Sequence, residues 1–245
     1  MTDLNALLEW VPNLLRGLQL TLTATILGSL LMAVVALVLG LMARSHRLLV
    51  RGVARTLIEF FRGTSLLVQL FWFFFALPLL GLRLDPLFAG VLALGLNYGA
   101  YGAEVVRGSI NAVPATQWEA AVALNLSPRR RMRRVIWPQA VALMIPAFNN
   151  LFIQLLKSTP LLFSITLADL MFYGEGFRQA GGDTTLIYVV LLLIYLVMTY
   201  AFTLLFTIAE VRANKRLGRH EGFASIFRSQ RVTREPDQGV GVDVR

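Results

Sequence analysis

The sequence predicts an all-α polytopic membrane protein. It has five transmembrane helices, an N-terminus outside, a C-terminus in the cytoplasm, and a short cytoplasmic helix between the third and fourth spans. Three observations carry this fold class. First, 56% of the 245 residues are hydrophobic and only 15% charged, with a mean hydropathy of +0.65. Soluble domains carry about 25% charged residues, so an ordinary soluble body is excluded, and so is a disordered chain. Second, the apolar residues gather into runs of the length, about 20 residues, that a helix needs to cross hydrocarbon. Third, the basic residues are placed asymmetrically between those runs. The absence of cysteine excludes a disulfide-stapled scaffold and leaves no thiol to report a redox compartment.

The first span is read at 18–42, 25 residues without a charge. Asp3 and Glu9 precede any Lys or Arg, and the run is longer than a signal-peptide core, so this span is expected to stay in the mature protein. The second span is read at 57–80, with Glu59 and Arg62 in its first two turns and an uninterrupted stretch from Leu66. The third runs over 86–106 and holds one carboxylate, Glu104, near its end. The fourth, over 135–156, has no charge but two prolines, Pro138 and Pro146, and the fifth is the uncharged run 184–208. Residues 159–173 form a sixth apolar stretch that is short, holds Asp169 and follows Pro160. It reads as a short helix or re-entrant piece buried against the spans. Residues 1–218 thus make one transmembrane domain. Residues 219–245 are polar and without periodicity, which predicts a disordered cytoplasmic tail.

With the N-terminus outside, 18 of the 23 basic residues fall on the inner loops and the tail, against four outside or at the outer interface. That bias fixes the orientation. It also explains the arginine runs as topology signals, so a net charge of +9 does not point to nucleic acid.

The inner loop between the third and fourth spans is too long for a turn, and its residues are ordered. Pro114 breaks the third helix. Thr116 then reads as an N-cap with Glu119 reaching back from N3, a capping box. An alanine-rich stretch from Ala120 and Ala121 to Leu124 follows, and Asn125 can end it in the left-handed conformation. Ser127 and Pro128 restart a helix as N-cap and N1. A short capped helix on the cytoplasmic side suits either a plain surface loop or a docking surface for a cytoplasmic partner. Trp118 and Trp137 read as anchors at the inner interface.

Polar side chains inside the spans are costly and face the bundle interior or a water-filled cavity. Asn97, Tyr101 and Glu104 share one face of the third span, with Gly95, Gly99 and Ala103 roughly opposite, where a neighbouring helix can approach closely. Asn150, Gln154 and Lys157 share a face of the fourth span, and Arg62, Ser65 and Gln69 a face of the second. Glu59–Arg62 and Glu104–Arg107 have the spacing of intrahelical ion pairs. Gln69, Asn97, Tyr101, Asn150 and Gln154 are candidates to line a translocation path for a polar solute. The competing reading is that such groups satisfy one another between helices.

No catalytic apparatus is legible. Neither Lys157 nor Lys215 follows a phosphate-binding glycine loop. The two histidines, His46 and His220, cannot make a metal site alone. A pump built on this chain would need an external energy source.

Glu119-Ala120-Ala121, Asn125 and Val135-Ile136-Trp137-Pro138-Gln139-Ala140 are similar to the EAA loop of ABC importer permeases. Phe61-Arg62-Gly63-Thr64-Ser65-Leu66-Leu67-Val68-Gln69-Leu70, Ala100 to Gly108 and Lys157-Ser158-Thr159-Pro160-Leu161-Leu162 resemble the branch of that family that takes up polar amino acids. The resemblance covers roughly residues 12–218, and Thr116 and Asn125 stand where the family usually has glycine. It implies a non-enzymatic permease subunit of the bacterial inner membrane that moves a polar amino acid or related compatible solute by alternating access. ATP and Mg would be bound by a cytoplasmic ATPase dimer docked on Thr116, Glu119, Ala120, Ala121, Leu124 and Asn125, with no cofactor on this chain. A second permease copy or paralogue and a periplasmic or lipid-tethered solute-binding protein complete the expected partners. The alternative is an ion-coupled secondary transporter, for which Asp169 and Glu104 are the candidate carboxylates; it would predict inverted repeats, and none is evident. A membrane anchor without transport is a third reading, against which the polar stripes argue.

Overall fold

The computed structural model describes residues 2–216, with side-chain detail for residues 6–208; the expected tail at 219–245 lies outside the described residues. Among the described residues the chain is helical throughout, without a strand. Helix α1 runs over Thr2–Met42, 41 residues, so the first span is the end of a much longer rod that begins 16 residues before the predicted boundary. The charges that set the predicted boundary, Asp3, Glu9 and Arg16, are compatible with helix; they only mark where an apolar run starts.

The predicted second span at 57–80 is not one helix. It divides into α2 (Leu48–Gly63) and α3 (Leu66–Phe71), which continues through a π turn, Trp72–Ala76, and a 3₁₀ turn, Leu77–Leu80. The two arms are bent by 102°. The local chemistry explains the break. Gly63 is a poor helix former, and the Thr64 hydroxyl turns back to the Phe60 carbonyl at 2.8 Å. Thr64 and Ser65 are both extended. Gly81, at φ 89°, closes the far end in the left-handed conformation that glycine adopts without strain.

Helix α4 (Pro86–Asn111) starts where the sequence places it. Pro86 stands at N1 and the Asp85 carboxylate accepts from the Leu87 N–H at 2.9 Å, a cap that the sequence reading passed over. More than half of its 26 residues are buried, which makes it the central helix. Its glycines let α1 approach. A Cβ on Gly95 would lie 2.6 Å from Leu31, one on Gly99 2.6 Å from Val35, and one on Gly40 of α1 2.8 Å from the Ala103 carbonyl oxygen. The predicted small-residue stripe is therefore a helix–helix contact.

After α4 come α5 (Ala115–Ala123), α6 (Pro128–Arg131), a π turn at Met132–Ile136, α7 (Trp137–Ser158) and a 3₁₀ continuation at Thr159–Ile165. The last four form one rod over Pro128–Ile165. The chain ends its described part with α8 (Leu170–Gln179) and α9 (Thr184–Arg216). Residues 159–173 thus form no separate span. They finish the α7 rod and open a ten-residue helix, α8, whose Leu170 and Phe177 pack against Ile187 and Leu191 of α9 and Leu7 and Leu14 of α1.

Among the described residues, three helices are long and apolar enough to cross a membrane: Ala6–Met42, Pro128–Ile165 and Thr184–Ile208. A fourth is added if the bent pair counts as one span. Helix α4 is long enough, about 39 Å at 1.5 Å per residue, but glycine, asparagine and tyrosine dilute its hydropathy. Because its neighbours cover it, α4 does not need a wholly apolar surface.

Candidate functional site

Two polar assemblies stand out, one at the bend between α2 and α3 and one at the C-terminal end of α4. At the bend, α2 ends against α4, and the carbonyls of its last turn need donors. The side chains of α3 and α4 provide them. Gln69 Nε2 donates to the Phe61 carbonyl at 3.0 Å and to the Thr64 hydroxyl at 2.6 Å. Asn97 Nδ2 donates to the same Phe61 carbonyl at 2.9 Å, and the Tyr101 hydroxyl to the Arg62 carbonyl at 3.3 Å. The Arg62 guanidinium lies 5.3 Å from the Tyr101 ring centroid, within cation–π range. Gln69 and Asn97 are buried. Four groups that sequence spacing put on two separate spans, Arg62 and Gln69 with Asn97 and Tyr101, thus meet at one place, where Gln69, Asn97 and Tyr101 cap a broken helix. A small cavity of 230 Å³ opens on the concave side, lined by Phe60, Phe61, Thr64, Val68, Gln69, Trp72 and Phe73.

Asn150, Gln154 and Lys157 are exposed along one face of α7, as their spacing requires. They make no contact with the Gln69–Asn97 group through side-chain hydrogen bonds. Between the two sets sits Tyr98, which the sequence reading missed. Its hydroxyl bonds the Ser158 hydroxyl at 2.6 Å and donates to the Gln154 carbonyl at 3.2 Å. Tyr98 lies beside Asn97 in sequence but faces α7, and only the helix packing reveals its partners.

At the C-terminal end of α4, α5 lies across the hairpin formed by α4 and the α7 rod. Thr116 does not cap it. Pro114 occupies the N-cap position and Ala115 is already helical, so Thr116 stands inside the first turn and the capping box with Glu119 does not form. Proline with its fixed φ sets the start without a side-chain bond. The other end follows the sequence reading. Asn125 has φ 54°, its N–H bonds the Val122 carbonyl at 2.8 Å, and the Leu126 N–H bonds the Ala121 carbonyl at 3.1 Å. That is the Schellman closure. Ser127 and Pro128 hold their predicted N-cap and N1 positions, though the serine hydroxyl makes no capping bond.

Trp118 and Trp137, predicted as interface anchors, are half-buried against Val106, Ile110, Val113, Ile136 and Ala140, and so fix α5 to the hairpin. Gln117 Oε1 accepts from Gln139 Nε2 at 3.2 Å, and Arg44, between α1 and α2, bonds Asn111. Thr116, Glu119 and Ala120 are exposed, Val122 is 51% exposed and Leu124 74%. Ala121 alone of the predicted docking residues is buried, holding α5 to the body.

Both predicted ion pairs form. Glu104 accepts from Arg107 in three contacts, the shortest 2.6 Å, while Glu59 and Arg62 meet at 3.5 Å with Glu59 exposed. Asp169 is fully buried and caps α8 through the Phe172 N–H at 2.9 Å. Both carboxylates on which ion coupling would have relied therefore have local structural work.

Residues 34–215 match the family described as binding-protein-dependent transport system inner membrane component. The chain belongs to this family. It is 48% identical over 193 residues to y4tF of Sinorhizobium fredii, named as a probable amino-acid ABC transporter permease, covering 76% of this chain and 81% of that protein. It is 34% identical over 209 residues to the L-cystine transport system permease TcyB of Bacillus subtilis, covering 85% and 89%. Among solved structures, an amino acid ABC transporter crystallised with histidines superposes with a TM-score of 0.81 at 35% identity, over 86% of this chain and 98% of that one. The protein is thus a multi-pass ABC importer permease, a transport component and not an enzyme. Membership implies an ATPase and a substrate-binding protein as partners and decides against the ion-coupled alternative.

Proposed function

We propose that this permease carries a polar amino acid or related compatible solute across the bacterial inner membrane, with α5 as the helix on which a cytoplasmic ATPase dimer docks. The observation that carries the docking role is the face of α5 and its C-terminal turn. Val122 and Leu124 stand 51% and 74% exposed beside Ala120 and Glu119, on a helix clamped from behind by Ala121 and Trp118. A rigidly backed helix with small and apolar residues outward suits a groove on a partner and transmits that partner's motion.

In this reading five spans cross the bilayer, the bent pair and α4 included, with the N-terminus outside. ATP and Mg are held by the ATPase and not by this chain. A second permease copy or paralogue completes the pathway, and a solute-binding protein delivers cargo from outside. Alternating access follows when nucleotide-driven closure moves α5 and, through it, the α4–α7 hairpin. Tyr101 and the exposed Asn150 and Gln154 are the path-lining candidates. Gln69 and Asn97 reach the path only as supports of the bend. The relatives' printed substrates support the amino-acid class.

The test is Glu119→Lys in the assembled importer reconstituted in vesicles. Reversing the charge on the docking face should abolish ATP-driven uptake while membrane insertion and the circular dichroism spectrum stay unchanged. Uptake at the wild-type rate would remove the docking role.

A further inference from the structure

Three arginines of the helical body have an acidic partner three residues earlier: Arg62 with Glu59, Arg107 with Glu104 and Arg178 with Glu175. The densest basic run has none. Arg129, Arg130, Arg133 and Arg134 are exposed and form no ion pair among the described residues. No Asp or Glu occurs between Glu119 and Asp169. These four side chains alone line a shallow cavity of 460 Å³. The fifth, Arg131, is half-buried and donates to the Leu126 carbonyl at 3.5 Å, out of the cluster.

Like charges held together without a counter-ion repel, even in water. A positive-inside signal needs charges on a loop but does not need them around one cavity. Residues four apart lie on one side of a helix, which brings Arg129 toward Arg133 and Arg130 toward Arg134, and all four side chains line the one cavity. Each pair can grip one phosphate through its planar forks. The cluster stands on the α6 turn immediately before Val135, Ile136 and Trp137, where the rod Pro128–Ile165 becomes apolar. A ligand there has phosphates at the headgroup level and apolar chains beside the rod.

We infer that these four arginines form a binding site for an anionic phospholipid with two phosphates, of the diphosphatidylglycerol type. The site rests on the membrane-embedded reading alone. Loss of lipid binding and loss of ATPase docking are therefore separate results.

The experiment is native mass spectrometry of the full chain in micelles, titrated with diphosphatidylglycerol or with phosphatidylglycerol. Each arginine near an anionic surface contributes roughly fivefold to binding, the equivalent of about 1 kcal/mol. Arg129→Gln with Arg133→Gln should therefore weaken diphosphatidylglycerol binding roughly 25-fold. Arg47→Gln with Arg51→Gln, an equal charge change on α2, should leave it within about twofold. The four-lysine variant of the cluster keeps the charge and the topology signal but loses the forks, and should bind more weakly than wild type. Equal losses from both glutamine pairs would reduce the site to general surface attraction and overturn the proposal. Equal affinity for the one-phosphate lipid, wild-type affinity in the lysine variant, or a photocrosslink from position 133 landing on a protein in place of lipid would each do the same.

Discussion

The bend between α2 and α3 offers a quantitative test of what its amides do. The Phe61 carbonyl accepts from both Gln69 and Asn97, at 3.0 and 2.9 Å, and both side chains are buried. Either donor alone satisfies it. Asn97→Leu removes one interhelical hydrogen bond, worth about 0.6 kcal/mol in membrane proteins. Gln69→Leu also removes the bond to Thr64 and should cost about 1.5 kcal/mol. Only the double variant leaves the carbonyl buried without a partner, which adds a desolvation penalty of about 1–3 kcal/mol. The double variant should therefore be less stable than the sum of the singles by about 1 kcal/mol or more. SDS titration in mixed micelles, followed by circular dichroism, measures all three. Additivity within about 0.5 kcal/mol would mean that the two amides act independently, and the shared cap would be refuted.

Packing makes a second prediction. A Cβ on Gly17 would sit 2.8 Å from the Asp169 carbonyl oxygen and 2.9 Å from Leu170 Cα, so Gly17→Ala should cost about 1–3 kcal/mol in the same titration. Gly63→Ala, whose Cβ meets nothing within 4 Å, should change stability by under about 0.5 kcal/mol. At the end of α5, Asn125→Gly relieves the left-handed backbone and should be neutral or stabilising by a few tenths of a kcal/mol, whereas Asn125→Val should cost about 1–2 kcal/mol. Arg178, then Gln179, hold the Glu175 carboxyl down at about 2. Its contribution to stability is present above the ordinary carboxylate range and is lost as pH falls toward about 2. A carbon-detected NMR titration of the chain in micelles should show that low midpoint, and Arg178→Gln should return it to the ordinary range.

What the sequence makes legible follows from the range of each interaction. Local signals read well. Pro86 and Thr184 mark the starts of α4 and α9, and Asn125 ends α5 in the conformation its side chain tolerates. The glycine stripe on α4 predicts close approach because a missing Cβ is a local fact. Thr116 shows where a local motif loses to a stronger neighbour: the capping box is present in letters, but Pro114 starts the helix first. The broken second span was hidden because hydropathy is blind to direction; an apolar run keeps its score through a 102° turn. The signal was nonetheless in Gly63-Thr64-Ser65, three weak helix formers in a row. That polar residues of separate spans satisfy one another between helices is legible as one of two readings, but which of them meet is not, since Gln69 and Asn97 are related only through the carbonyl of Phe61.

The bend and α5 are joined by α4. Asn97 and Tyr101 hold the end of α2 from one face of this helix, and 14 residues further on, about 21 Å along its axis, Asn111 bonds Arg44 just before α5 begins. Over that length α4 is held by backbone-distance packing against α1, at Gly99 and at Ala103 beside Gly40, and by Trp118 and Trp137 at its C-terminal end. A close-packed helix of this kind moves as a rod, because its contacts have no room for graded deformation. Under the proposed docking role, a displacement of α5 would reach the capped end of α2 through this helix. The bend is where such motion can be absorbed. It is already unwound at Thr64 and Ser65, and its carbonyls are held by side-chain amides that can re-pair, in contrast to the continuous backbone hydrogen bonds of α4.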